Sequence, residues 1–157
     1  MNKPHLAFFE ESEFLRNGIN WFPYMDTRWL LLTDTFRFQL GAPIHISRDP
    51  LALGRELSRD SESDHNIVRW DAVFGGDVFT SDLRDMYDAR IAVELARSVG
   101  YTAIGFYPSW RQGDMTGGLH LGTRSNRRPG DPATWGFIGT GDDRVQVSIN
   151  EAMEVLG

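Results

Sequence analysis

The chain has no cysteine among its 157 residues, which excludes disulfide scaffolds, thiol nucleophiles, iron–sulfur clusters and thiolate zinc sites together. It has no basic excess either. Sixteen Lys+Arg stand against 22 Asp+Glu, a formal net charge of −6. The whole-chain field therefore repels polyanions and offers no counterion release to drive non-specific nucleic-acid binding. No apolar run approaches the roughly 20 residues that span a bilayer, and Met1 to Glu13 lacks the basic start and apolar centre of a secretory signal. These absences predict a chain made in the cytoplasm, with no nucleic-acid partner and no membrane insertion. Repeats, low-complexity tracts and Pro/Ser-rich linkers are also missing, so residues 1–157 read as one domain, expected to be a monomer. What is present, 41% apolar residues with 12% aromatics, suffices for one sizeable core.

The spacing of Trp29, Leu32, Phe36 and Leu40 predicts a helix over about Asp26 to Leu40, stopped by Gly41 and packed by one face on a sheet. Ala42 to Ser47 alternates as a short strand that delivers Ser47 and Arg48 to one end. From Arg48 to Gly76 no period is visible, and so long a polar loop in a compact domain is usually functional or mobile. A second helix is expected to be capped by Thr80 or Ser81, with Leu83, Tyr87, Ile91 and Leu95 as its buried stripe and Gly100 as its end. Tyr101–Tyr107, Gly118–Leu121, Thr134–Ile138 and Arg144–Ile149 are short and β-prone, and Ser148 can cap a last helix through Leu156. Helices first and then mostly strands, without βαβ alternation, predict an α+β fold with a central, mostly antiparallel sheet flanked by helices.

With no cysteine, histidines are the main soft ligands available. His5 sits beside a proline and reads as a surface residue. His45, between Ile44 and Ile46, faces away from them and reads as structural. His65 differs, because it stands in Ser63-Asp64-His65-Asn66 in the polar loop, with Asp77 following after eleven residues in Gly75-Gly76-Asp77-Val78-Phe79. His120 is flanked by Leu119 and Leu121 on a strand and must point away from both, with Gly117 and Gly118 allowing close approach. Two histidines and one carboxylate, with water in a fourth position, form a recognised catalytic zinc shell. Spacing alone points to that shell only weakly.

The order Ser63-x-His65, then Gly76-Asp77-Val78-Phe79, then Gly105-Phe106-Tyr107-Pro108 and Leu119-His120-Leu121 resembles the LAS-type zinc peptidases. That group includes D-alanyl-D-alanine carboxypeptidases and dipeptidases and phage peptidoglycan endopeptidases. Gly41 to Ser47 also resembles the strand before that family's substrate-facing loop, so the likeness runs from about Trp29 to Ile149. It implies a hedgehog/D-Ala-D-Ala-peptidase-like fold, with Zn2+ held by His65, Asp77 and His120. The implied partners are the peptide stems of peptidoglycan. It also implies an arginine facing the substrate, a place that Arg48 or Arg55 could fill.

Three departures from the family pattern stand out. The usual six residues between first histidine and aspartate are eleven here, or five if Asp71 replaces Asp77; the Gly-Gly-Asp-Val-Phe context favours Asp77. The acidic base usually three residues before the second histidine is Gly117, and the Asp that some relatives carry two residues after it is Gly122. Asp114 is then the nearest carboxyl in sequence to relay a proton. Trp110 and Trp135 are candidates to wall a cleft, Arg124 in the loop after His120 to attract substrate carboxylates, and Trp21, Trp29 and Trp70 read as structural. The first functional expectation is a zinc metallopeptidase cutting bacterial peptidoglycan, an endolysin of phage or prophage origin that reaches the cell wall after release or as part of a virion. The alternative is an inactive metal-binding structural or cell-wall-binding protein on the same scaffold, which the glycine at position 117 favours.

Overall fold

Asn17 and Gly18 both adopt positive φ, 49° and 77°, so they make the two-residue turn that joins strand β1 (Leu15–Arg16) to β2 (Ile19–Asn20). The structure, a computed structural model, describes every residue except Met1, Asp82 and Ser125. Helix α1 (Thr27–Leu40) begins where the Asp26 carboxylate accepts the Trp29 backbone N–H at 3.1 Å. It ends where Gly41 turns left-handed at φ 68°.

A mixed six-stranded sheet carries the site. Its members are β3 (Ile44–Ile46), β4 (Gly75–Thr80), β5 (Ala103–Gln112), β6 (Met115–Gly122), β7 (Ala133–Ile138) and β8 (Val145–Val147), in the order β3-β4-β6-β5-β7-β8. Neighbours are antiparallel except for the parallel β5–β7 pair, so the α+β, mostly antiparallel expectation holds. One-turn helix α2 (Ile67–Trp70) lies within the polar segment before β4, and α3 (Met86–Val99) and α4 (Ile149–Glu154) are the remaining α-helices among the described residues. Ser148 caps α4 with a reciprocal Glu151 contact, as its position in the sequence suggests.

The second helix differs from expectation. Thr80 is the last residue of β4, and Asp85 is the N-cap of α3. Its buried face is Ala89, Ala92, Val93 and Ala96, whereas Tyr87 and Ile91 are 70% and 44% exposed. A stripe of alanines lets α3 lie close to α1, and close approach is rewarded even where larger apolar residues stand on the outer side. Strand alternation then divides the sheet. Val78, Ile104, Phe106, Leu119 and Leu121 are buried in the core, together with Trp29, whose ring lies on Gly76 and whose indole N–H is donated to the Leu121 carbonyl at 2.8 Å. Asp77 and His120, directly paired across β4 and β6, point to the other face.

Candidate metal centre

Three donor atoms meet on that second face. His120 Nδ1 lies 3.0 Å from Asp77 Oδ1 and 3.1 Å from His65 Nε2, and His65 Nε2 lies 3.5 Å from Asp77 Oδ1. The side chains are buried, and together they could hold a metal ion. Asp77 and His120 come from paired strands, while His65 is brought in by the loop, whose Arg55 backbone N–H bonds to the His65 carbonyl at 2.7 Å.

The outer nitrogen of each imidazole has a partner. His65 Nδ1 faces the Leu53 carbonyl at 2.6 Å, and His120 Nε2 faces Asp64 Oδ2 at 3.3 Å. Both of those nitrogens must carry hydrogen to satisfy an acceptor, which leaves His65 Nε2 and His120 Nδ1 as bare lone pairs aimed at each other and at the Asp77 carboxylate. Three facing lone pairs repel unless a cation, metal or proton, sits among them. Electrostatics agree. Burial alone would push the His120 imidazole down, but Asp64 and Asp77 outweigh it and raise its pKa to about 9. Burial opposes ionisation of Asp77, yet the two histidines hold it well below the ordinary carboxylate range. Burial keeps His65 neutral, with its pKa below the usual histidine value.

Asp64 is the site residue that sequence reasoning missed. It is 8% exposed, and besides His120 it meets Arg124, whose Nε lies 3.2 Å from Asp64 Oδ1 in an ion pair without hydrogen-bond alignment. Arg124 also bonds to the Glu62 carbonyl and lays its guanidinium 4.8 Å over Trp70. It therefore braces Asp64 behind the histidine and also lines the cleft. Gly75 and Gly122 explain how Asp64 fits: a Cβ on Gly75 would come within 2.7 Å of both Asp64 and His120, and a Cβ on Gly122 would strike the Asp64 carboxylate. The only sequence signal for this partner was its place next to His65.

Neither a family model, nor a curated protein, nor a solved structure matches this chain.

The remaining candidates divide by position. Arg55 is at the centre: one of its terminal nitrogens lies 3.4 Å from Asp77 Oδ2, which leaves Oδ1 turned to the histidines, and its Nε donates to the Leu51 carbonyl at 2.6 Å. Arg48 is exposed and lines an adjoining groove of about 710 Å³ that does not include the histidines. Asp71 is exposed and ends α2 in a left-handed conformation (φ 56°), so the extra residues between His65 and Asp77 form that helix and its cap. Asp114 is exposed in the tip between β5 and β6, six residues along the strand from His120 and so roughly 20 Å away. It does not line the cleft, because a hairpin carries its turn away from its middle. At Gly117, φ is 78° and a Cβ would meet the end of the Leu83 side chain at 2.7 Å, so an acidic side chain there would be strained. His5 is exposed and His45 half-buried, as expected.

The triad opens into a cleft of about 340 Å³ also lined by Arg55, Trp110, Trp135 and Tyr107. Both expected wall tryptophans are thus in place. Trp110 stacks on Tyr107 with ring centroids 3.9 Å apart, and Trp135 lies over Gly105, where a Cβ would meet the indole at 2.6 Å. Trp29, Trp21 and Trp70 pack as structural residues; the Trp70 indole donates to the Ser63 carbonyl at 2.9 Å. Among the described residues no helix is long and apolar enough to cross a membrane.

Proposed function

We propose that this chain is a zinc-dependent peptidase acting on the peptide stems of bacterial peptidoglycan, on the hedgehog/D-Ala-D-Ala-peptidase-like scaffold that its motif order resembles. The observation that carries the reading is the donor triangle of 3.0, 3.1 and 3.5 Å. A tetrahedral zinc at its ordinary bond lengths sets its nitrogen and oxygen donors about 3.3–3.4 Å apart, and its catalytic form uses three such ligands with a fourth position free. The supporting acceptors behind both imidazoles are those that orient ligand histidines and raise their basicity. The ligands line an open cleft, where solvent and substrate have access.

Zinc held there would polarise a peptide carbonyl and lower the pKa of bound water toward about 7. The protein's part is orientation and charge. Asp64 and the Leu53 carbonyl fix the imidazoles, and Arg55 fixes the carboxylate. Arg55 and Arg144 line both the cleft and the adjoining groove, where Arg48 and Arg111 join them. On a chain of net charge −6 this local cationic lining suits a peptide bearing free carboxylates. With Asp114 at the hairpin tip and no side chain at position 117, proton relay to the departing amine falls to a carboxylate of the cleft. Glu62, at the rim and paired with Arg69, is the one not engaged with a ligand histidine. The enzyme would act on the wall after release from the cell or as part of a virion.

The second reading, a metal-holding binding protein without turnover, is favoured by the absence of an acid at position 117, where the positive φ favours glycine. Purified murein separates the two. The peptidase releases new amino groups, and His65→Ala and His120→Ala each abolish that release and reduce zinc from about one equivalent to almost none. Zinc retained by both variants overturns the centre; a zinc-loaded wild type that retains muropeptides uncut establishes the binding protein instead.

A further inference from the structure

Tyr107, of the Gly105-x-Tyr107-Pro108 motif, has no part in the hydrolysis as outlined, yet its surroundings fix it rigidly beside the metal centre. In the β5–β6 register Gly105 is opposite His120 and Tyr107 is opposite Gly118. Alternation therefore puts Tyr107 on the face that bears His120 and Asp77, a diagonal neighbour of His120 with backbones roughly 7–8 Å apart. Its ring is held in parallel stacking with Trp110 (3.9 Å, 11°) and Phe137 (5.8 Å, 16°). Gly118 makes the room, since a Cβ there would meet Trp110 at 2.5 Å.

The phenol has a defined polarity. Trp135 donates its indole N–H to the Tyr107 oxygen at 2.8 Å. An indole N–H only donates, so the oxygen is the acceptor in that contact and its own hydrogen is left over. Among the described residues no acceptor takes that hydrogen. A stacked, half-buried tyrosine with an unused donor thus shares the cleft with His65, Asp77 and His120.

We infer that Tyr107 donates its phenolic O–H to the substrate oxygen that gains negative charge when the scissile carbonyl is attacked, and that Trp135 is a positioning residue that fixes the direction of that donor. The inference rests on the peptidase reading. In the step, water oxygen bonds to the carbonyl carbon, the C=O π pair moves onto the carbonyl oxygen, and the water proton leaves to a cleft carboxylate. The tyrosine proton stays on tyrosine, because a donor aimed at developing charge lowers the barrier without transferring its proton.

The test compares zinc-loaded wild type, Tyr107→Phe and Trp135→Phe by zinc content, turnover of purified murein, and calorimetric affinity for inorganic phosphate, a tetrahedral anion. Tyr107→Phe keeps the ring stack and is expected to retain about one zinc with KM within about twofold. Its kcat falls about 10²–10³-fold, the cost of one oxyanion donor, and phosphate binds about tenfold more weakly or worse, as for a lost hydrogen bond to a charged group. Trp135→Phe, with the phenol intact but its orienting N–H gone, loses about tenfold in kcat at unchanged zinc. Wild-type kcat and phosphate affinity in Tyr107→Phe overturn the inference, as does wild-type kcat in Trp135→Phe should the tyrosine variant fail to fold. A wild type that binds zinc and phosphate but cuts no murein overturns the peptidase reading separately, and equal phosphate affinity in Tyr107→Phe then still eliminates the donor.

Discussion

The two faces of the six-stranded sheet are built by the same alternation and have opposite chemistry. One face places Val78, Leu119, Leu121, Ile104 and Phe106 in the hydrophobic core with Trp29 of α1. The other places Asp77, His120, Tyr107 and Trp135 toward a cleft, and Gly105 and Gly118 stand between them wherever a large ring must lie flat on the sheet. The apolar face gains stability from shape and area, whereas the polar face brings like-natured lone pairs within 3.5 Å and is stable only with a cation among them. One strand, β6, serves both purposes with consecutive residues, so a one-residue slip in its pairing would exchange a ligand for a core leucine.

The comparison breaks most severely on the core side at Trp29. Trp29→Ala empties a fully buried site and removes the N–H donated to Leu121, so unfolding in denaturant should show a loss of about 3–5 kcal/mol. Zinc stoichiometry at a temperature where the variant remains folded should be unchanged. Coupled loss of zinc under those conditions would mean that the two faces are not independent.

The next effect is electrostatic and depends on pH. Without metal, the His120 pKa of about 9 lies above the ordinary value of about 6.5 in the unfolded chain. Its contribution is therefore fully present below about pH 6.5 and is lost as pH rises toward 9, on the order of 3 kcal/mol. Asp77 is ionised throughout that window, and His65, whose folded pKa lies below the ordinary value, offsets the change only near pH 6.5, where the unfolded histidine is still partly charged. Zinc-loaded protein, in which a divalent ion takes the proton's place, should not show this decline. The Tm difference between loaded and metal-free protein should widen from pH 6.5 to 9, and a metal-free Tm that stays level across that range contradicts the assignment.

A milder change sharpens the polar face alone. Asp64→Asn retains shape but weakens the acceptor behind His120, and zinc affinity measured by chelator competition should fall about 10–100-fold. Smallest of all is Asp114→Asn. At an exposed hairpin tip it should leave zinc content unchanged, turnover within about twofold and stability within about 0.5 kcal/mol; a large loss of turnover would bring that carboxyl back into the reaction.

How much of this was legible in the sequence follows from how local each signal is. α1 and its glycine stop, the Ser148 cap of α4, and the outward turn of His120 between two leucines all rest on neighbours within a few residues, and they read correctly. The buried stripe of α3 did not, because the large residues Tyr87 and Ile91 dominate any apolar periodicity while the helix packs through its alanines. At the centre, residue types and order pointed to His65, Asp77 and His120, which the fold brings together. The choice of Arg55 over Arg48, the partnership of Asp64 with His120 and the remoteness of Asp114 depend on contacts made across strands and loops. No spacing along the chain encodes those.

Of the three donors, Asp77 and His120 belong to neighbouring strands and only His65 arrives from the excursion between β3 and β4. An ion at their meeting point would act as a rivet between that excursion and the sheet beneath it. Its withdrawal would then be felt first as fraying of the overlying chain, while the strands below stayed zipped.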